Sequence, residues 1–259
     1  MKKKIIYILL PIFIIIGYFL YEAYQYYSPP QIHEIYSISK PPTDTLSIAF
    51  IGDSWAYLHN RHKCTIPKQI ESAIKRPVKI KSIGISRLTS KELYKSIYDN
   101  KEMRVLFQTN HFDYCIIATG VNDTDNKMST SYYINSMEGI IYFMLANQIK
   151  PIIIEIPDYD ISKTFTNQGK AKMVLRYFSM FINNTPKDCK QLFRNALRRH
   201  IHKKNDDNCV IIIDYKSWNP DFKRDLETLY QKDGLHLNNE GYKSLDKAIV
   251  KEIIKEERL

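Results

Sequence analysis

The sequence predicts an α/β protein, a three-layer α/β/α sandwich around a five-stranded parallel sheet. Short, nearly unbroken apolar runs recur along the chain, as strands buried on both faces require. Longer segments of helical periodicity separate them, so the order is strand, helix, strand. Glycine, proline and aspartate bracket the runs and mark where each strand ends.

Taken in order, "LSIAFIG" (residues 46–52) reads as a buried first strand, followed by a helix over about 66–75. "VKIKSIGI" (78–85) alternates with period two and reads as a second strand with a more exposed face. "SKELYKSIYDN" is helical, and "FDYCIIATG" is a third strand. "SYYINSMEGIIYFMLANQI" is a long amphipathic helix. "PIIIEIP" is a fourth strand with prolines at both ends. Helical stretches near 170–181 and 187–202 lead to a fifth strand, "CVIIIDY", and a terminal helix spans 238–257.

The 259 residues, 44% hydrophobic and 25% charged, suit one domain of ordinary size with an appendage and exclude wholesale disorder. The division expected is an N-terminal anchor over 1–24, an extended linker with two Pro-Pro pairs over 25–44, and a catalytic-sized domain over 45–259. In the appendage, Lys2, Lys3 and Lys4 precede an uncharged run from Ile5 to Tyr21. As a helix that run spans about 25 Å, enough for a thin bilayer. The lysines place the N-terminus in the cytoplasm and the rest outside. The expectation is a retained transmembrane signal anchor. Secretion after cleavage is the rival, although the small-x-small cleavage pattern is missing.

The net charge is +10, and the three leading lysines leave +7 on the remainder. That balance suits anionic surroundings such as headgroups or acidic glycans. The cations are scattered and no nucleic-acid module signature is present, so no nucleic-acid partner is expected. Cys64, Cys115, Cys189 and Cys209 show no metal spacing. Cys115 and Cys209 fall in or beside strand-like runs, where small core residues are expected. Disulfide pairing and oligomeric state stay open.

In a parallel sheet, sites lie beyond the carboxyl ends of the strands. Ser54 follows the first strand in "IGDS", Asn122 follows the third in "GVND", and Asp233 and His236 share "DGLH" before the last helix. A serine becomes a nucleophile when a base accepts its proton and a third group orients that base. Asp233 and His236, three residues apart around a glycine, can supply that pair. Fixed donors must also meet the developing oxyanion. The Asn122 side chain and the Ser54 N–H qualify, and the turn after the second strand offers a third. Taken singly, each feature has a plainer meaning. Ser54 is a favoured helix cap, and Asp233-Gly234 is a common turn.

Together the three blocks resemble the conserved blocks of the SGNH/GDSL hydrolases, over roughly residues 45–257. The resemblance implies a flavodoxin-like sheet and serine esterase, lipase or acyltransferase chemistry without metal or cofactor. It assigns Ser54 as nucleophile, His236 as general base, Asp233 as its orienting carboxylate and Asn122 as a side-chain oxyanion donor. Asp53 is expected to support the turn. The block after the second strand departs from the family's G-x-S-G-x-T-S. Here Gly84-Ile85-Ser86-Arg87-Leu88-Thr89-Ser90 puts Arg87 where the donor glycine stands. Its N–H serves if the backbone there is not one that only glycine adopts. Gly84 is the alternative donor. The Arg87 guanidinium faces either the pocket or solvent.

Other candidates are weaker. "HNRH" (59–62) and "HIH" (200–202) lack partners at metal-ligand spacing, so no metal is expected. Trp55, Tyr57 and Trp218 suit either a sugar-binding wall or the core. Residues 159–178 suit either a substrate rim or plain surface. The resulting expectation is a membrane-anchored, extracytoplasmic serine hydrolase of O-acyl esters, most simply acetyl, on envelope glycans. Acyl transfer, a lipid esterase or thioesterase, and a non-catalytic glycan-binding protein are the alternatives.

Overall fold

The structure is a computed structural model that describes residues 2–38, 44–62, 64–166 and 169–258. In chain order the elements are α1 (Lys2–Tyr27), β1 (Leu46–Gly52), α2 (Ser54–His59), α3 (Ile66–Ile74), β2 (Val78–Gly84), α4 (Ser90–Asp99), α5 (Lys101–Thr109) and β3 (Tyr114–Ala118). There follow α6 (Val121–Asp125), α7 (Thr130–Ala146), β4 (Lys150–Ile154), α8 (Ile161–Thr166), α9 (Gly169–Asn183), α10 (Lys190–Lys204), β5 (Ile211–Ile213), α11 (Phe222–Leu229) and α12 (Asn239–Glu256).

All five strands are parallel, in the order β2-β1-β3-β4-β5. The chain reverses its direction of growth between β1 and β3, so a crevice opens beyond their carboxyl ends. β1 is buried on both faces because its alternate side chains enter two cores. Leu46, Ile48 and Phe50 pack with residues of α3 and α12 such as Ile66, Ile70, Ile249 and Ile253. Ala49 and Ile51 pack with residues of α4, α5, α7 and α10 such as Leu93, Phe107, Met137 and Phe193. At the sheet edge, Lys79 and Lys81 of β2 point to solvent, charges that discourage pairing with another chain. The short helices α5, α6 and α11 were not anticipated from the sequence. α6 and α11 are too short for a periodic pattern, and α5 follows α4 after the single residue Asn100, which caps it.

Among the described residues no helix is long and apolar enough to cross a membrane. The leading part of the expected transmembrane run, Ile5–Leu10, lies outside the residues whose side chains are described. α1 continues to Tyr27, three residues past the expected anchor boundary. Residues 29–38 form neither helix nor strand but lie against the domain. The His33 N–H donates to the Tyr94 hydroxyl (3.0 Å), the Tyr36 hydroxyl to the Ile97 carbonyl (3.0 Å), and the Ile38 N–H to Asn147 Oδ1 (2.8 Å).

Candidate active site

β1 ends at Gly52, and Asp53 turns the chain into α2. The Asp53 carboxylate accepts the Trp55 N–H at 2.9 Å and is therefore the helix cap. Ser54 takes the first helical position, so capping makes no demand on its hydroxyl. That hydroxyl lies 2.9 Å from His236 Nε2, and His236 Nδ1 lies 2.6 Å from Asp233 Oδ2. The other Asp233 oxygen accepts the N–H groups of Leu235 (2.9 Å) and His236 (3.0 Å). The loop is thus its own clamp, with one carboxylate fixing both ring and backbone of the histidine. Burial opposes ionisation of Asp233, but hydrogen bonds from the His236 ring and from these two amides outweigh it. They lower its pKa to about 2. An ionised Asp233 directs the Nδ1 proton toward itself and leaves Nε2 free to accept from Ser54.

Asn122 sits in the first turn of α6, across the switch point from Ser54. Its amide nitrogen donates to Asp53 Oδ2 (3.2 Å) and to the Leu88 carbonyl (3.0 Å). The side chain expected to meet an oxyanion therefore also ties together the loops after β1, β2 and β3. Asp53 is fully buried, and burial raises its pKa to about 7, although the Trp55 N–H, His236 and the Asn122 amide favour its charged form.

Arg87 has φ of +72°, the left-handed region that favours glycine. The condition set by the sequence is therefore met only under strain, since a non-glycine residue there costs about 1–2 kcal/mol. Among the described residues, neither the Arg87 nor the Ser54 N–H has an acceptor. Gly84 stands elsewhere. It is the last residue of β2, paired with Gly52, and a Cβ on it would lie 2.0 Å from the Tyr57 nitrogen. Its requirement for glycine comes from α2 crossing directly over β2.

Asp123, next to Asn122 in "GVND", carries no recognisable role in the sequence. It is fully buried and accepts from the Ser90 N–H (2.8 Å) and hydroxyl (2.5 Å), so it fixes the far end of the Arg87 loop. Burial raises its pKa to about 6. No local pattern could reveal this, because Ser90 lies 33 residues away. Asp160 and Arg176, from the 159–178 segment, do reach this edge of the sheet. The Asp160 N–H donates to the Gly234 carbonyl (2.9 Å), and Arg176 of α9 pairs with Asp125 of α6.

The other candidate residues have partners of their own. Trp55 and Trp218 are buried and meet edge to face, 5.8 Å between ring centres, so they belong to the core. Tyr57 stacks under Arg61. All four cysteines are free thiols, and Cys209 is exposed, not a core residue. His200 faces Glu138 (3.6 Å) and His202 faces Asp207 (2.9 Å). His59 does meet a carboxylate and a thiol, at the opposite end of α2 from Ser54. The ligand atoms of His59, Cys64 and Asp246 lie within 4.8 Å of one another. Asp246 is already bonded to His59 Nε2 (2.6 Å) and to the N–H and hydroxyl of Thr65 (2.9 and 3.0 Å). That set joins α2 and the start of α3 to α12.

A parallel sheet with a Ser-His-Asp chain at its switch point defines a serine hydrolase of flavodoxin-like topology. Residues 50–244 match the GDSL-like lipase/acylhydrolase family, and the chain belongs to it; its members are ester hydrolases or acyltransferases. No curated protein sequence matches. Among solved structures, a lipase/acylhydrolase from Enterococcus faecalis is 18% identical, with a TM-score of 0.55 over 82% of this chain and 96% of that one. A GDSL-like lipase from Bacteroides thetaiotaomicron is 18% identical, with a TM-score of 0.52 over 81% and 88%. The acetylxylan esterase Axe2 from Geobacillus stearothermophilus is 15% identical, with a TM-score of 0.52 over 80% and 94%. At these identities the likeness to solved structures is one of fold.

Proposed function

We propose that the protein is a serine hydrolase of O-acyl esters in which Ser54 is the nucleophile, His236 the general base and Asp233 its orienting carboxylate. The observation that carries this is the unbroken chain from Ser54 Oγ through both ring nitrogens of His236 to Asp233. Ser54 Oγ attacks the ester carbonyl while Nε2 takes its proton. The tetrahedral oxyanion is met by the Ser54 N–H, the Arg87 N–H and the Asn122 amide, which turns from Asp53. Collapse breaks the bond to the leaving alkoxide, which takes the proton from Nε2. Water then repeats the sequence on the acyl-enzyme and releases the acid. Gly84 is not assigned a donor role, since its glycine requirement is steric.

The acyl group we assign is acetyl, carried on an envelope glycan. An acetylxylan esterase among the structural neighbours supports that choice. So does the net positive charge, which suits acidic glycans. The location we assign is extracytoplasmic, with α1 as the anchor. Lys2, Lys3 and Lys4 before an uncharged run support it, as do the exposed apolar residues between Ile12 and Leu20.

The test is labelling with a serine-directed fluorophosphonate, followed by measurement of acetate released from acetylated envelope glycans. Wild-type protein should label and release acetate, and folded Ser54→Ala should do neither. Full activity in Ser54→Ala would remove the mechanism, and labelling without acetate release would move the assignment to another acyl group. A chain-length series of nitrophenyl esters then finds which. Extraction of cell membranes at alkaline pH tests the anchor, which should stay in the pellet.

A further inference from the structure

We propose that the outward face of α9 is a docking surface for an anionic lipid bilayer, laying the sheet edge that holds Ser54 along the lipid surface; this rests on reading α1 as a membrane anchor.

α9 has its polarity turned inside out. Arg176 and Ser179 are buried, with Arg176 bound to Asp125 and to the Thr164 carbonyl. Val174, Leu175, Phe178, Phe181 and Ile182 point outward and are 62%, 61%, 52%, 86% and 47% exposed. Their spacing places them on one stripe of the helix. A soluble surface helix keeps such a stripe inward and its arginine out. A contiguous apolar stripe of this size marks a contact with an apolar partner.

Two observations select a bilayer. The first is charge. Besides the buried Arg176, residues 161–183 carry Lys163, Lys170 and Lys172 at the surface and no aspartate or glutamate. Lys163 and Lys172 also reach Asp160 and Asp125, but the segment itself adds only positive charge beside its apolar stripe, the pattern of helices that lie in the headgroup region of anionic membranes. The second is continuity with α1. The exposed residues of α1 from Ile12 to Leu20 are apolar apart from Gly17 and the amphipathic Tyr18, and the helix ends in Tyr21, Tyr24, Tyr26 and Tyr27. Tyrosines of this kind settle at a membrane interface. The Tyr27 hydroxyl lies 2.5 Å from Ser179 Oγ, so α1 ends against α9. A bilayer that holds α1 up to its tyrosines meets α9 at the same level.

The same contacts orient the site. Lys91, in the first turn of α4, donates to the Gln25 and Ser28 carbonyls at the end of α1 (2.6 and 2.7 Å). It directly follows the loop that holds Arg87. On the other side, Lys172 and Arg176 bind Asp125, three residues beyond Asn122. Both membrane-facing helices are therefore fastened to the edge of the sheet where Ser54 lies. The substrate class that fits this placement is an ester presented at a membrane surface.

The test uses the full chain with Cys64 and Cys209 changed to serine and an environment-sensitive fluorophore on Phe181→Cys. The control carries it on Arg199→Cys of α10. With phosphatidylcholine vesicles containing phosphatidylglycerol, the label at 181 should shift to the blue and be quenched by nitroxide lipids. The label at 199 should do neither. A label at 181 that stays aqueous on vesicle-bound protein overturns the proposal. A shift that needs no lipid and grows with protein concentration also overturns it, and assigns the stripe to a second copy of the chain. Phe178→Glu/Phe181→Glu should lower turnover of a vesicle-borne ester by about tenfold or more and leave nitrophenyl acetate turnover unchanged. Ser54→Ala should dock normally and lose turnover, so a failure of the hydrolase reading shows instead as docking without turnover in the wild type or as turnover kept in Ser54→Ala.

Discussion

The Asn122 amide donates to the buried carboxylate of Asp53 at 3.2 Å, across the point where the sheet reverses direction. This joins the residue that caps α2 to the residue assigned to the oxyanion, and it makes the joint sensitive to pH. The Asp53 pKa is raised, chiefly by burial, to about 7, whereas in the unfolded chain it lies near 4. Between about pH 4 and 7 the native state holds a proton that the unfolded state has lost, so stability falls as pH rises through that window. Asp123, raised to about 6 by burial, acts in the same direction. Asp233, lowered to about 2, acts oppositely: its contribution is complete above about pH 4 and is lost only as pH falls through 2. Urea unfolding at pH 5 and pH 8 should show the wild type losing more stability than Asp53→Asn over that interval. Equal losses would mean that Asp53 does not titrate there.

Asn122→Ala should reduce kcat by about a hundredfold to a thousandfold, the cost of one oxyanion donor. The same variant frees the Leu88 carbonyl, so a modest fall in thermal stability is expected as well. Fluorophosphonate labelling should slow in parallel, because phosphonylation uses the same donor. Unchanged labelling with lowered stability would reduce Asn122 to a loop tie.

Arg87→Gly should be neutral or stabilising. Glycine relieves the cost of φ +72°, about 1–2 kcal/mol, against about 0.4–1 kcal/mol of added unfolded-chain entropy. The N–H is kept, so kcat on a small acetyl ester should be unchanged. A rise in KM confined to anionic or glycan substrates would show that the guanidinium reaches substrate. Thermal unfolding and steady-state kinetics on both substrate types measure this.

Gly84→Ala should destabilise by about 3 kcal/mol or more, because the added methyl meets the backbone of Tyr57 at 2.0 Å. Activity should be lost in step with the folded fraction. A stable, folded Gly84→Ala protein with impaired turnover would instead return Gly84 to the oxyanion site.

His59→Ala should destabilise by about 1–3 kcal/mol, since it removes the ring partner of the buried Asp246 carboxylate and leaves that carboxylate to Thr65 alone. Turnover per folded molecule should hold at temperatures where the variant is folded, because the pair lies at the other end of α2. Denaturant titration with parallel active-site labelling separates the two.

Much of this protein was legible from one dimension. The alternation of apolar runs with helical segments yields the parallel sheet, because a strand buried on both faces must be apolar at almost every position. The blocks at Ser54, Asn122 and Asp233 to His236 point to one edge of that sheet, because parallel connections bring every strand end to the same side. The Asp233-His236 pair was especially readable, since its geometry closes within three residues.

What only the tertiary structure decided depends on contacts between distant residues. That Asp53 caps α2 and frees the Ser54 hydroxyl is a matter of backbone angles at one turn. In the sequence Arg87 stands where the family's donor glycine stands, and its backbone conformation is open. The fold holds it in glycine's conformation, and Asp123, 33 residues from Ser90, pins the loop that does so. Gly84 was the alternative donor, and the passage of α2 over β2 makes it a steric necessity. The outward stripe of α9 was equally hidden, because periodicity tells that a helix has an apolar face but not which way the rest of the protein turns it.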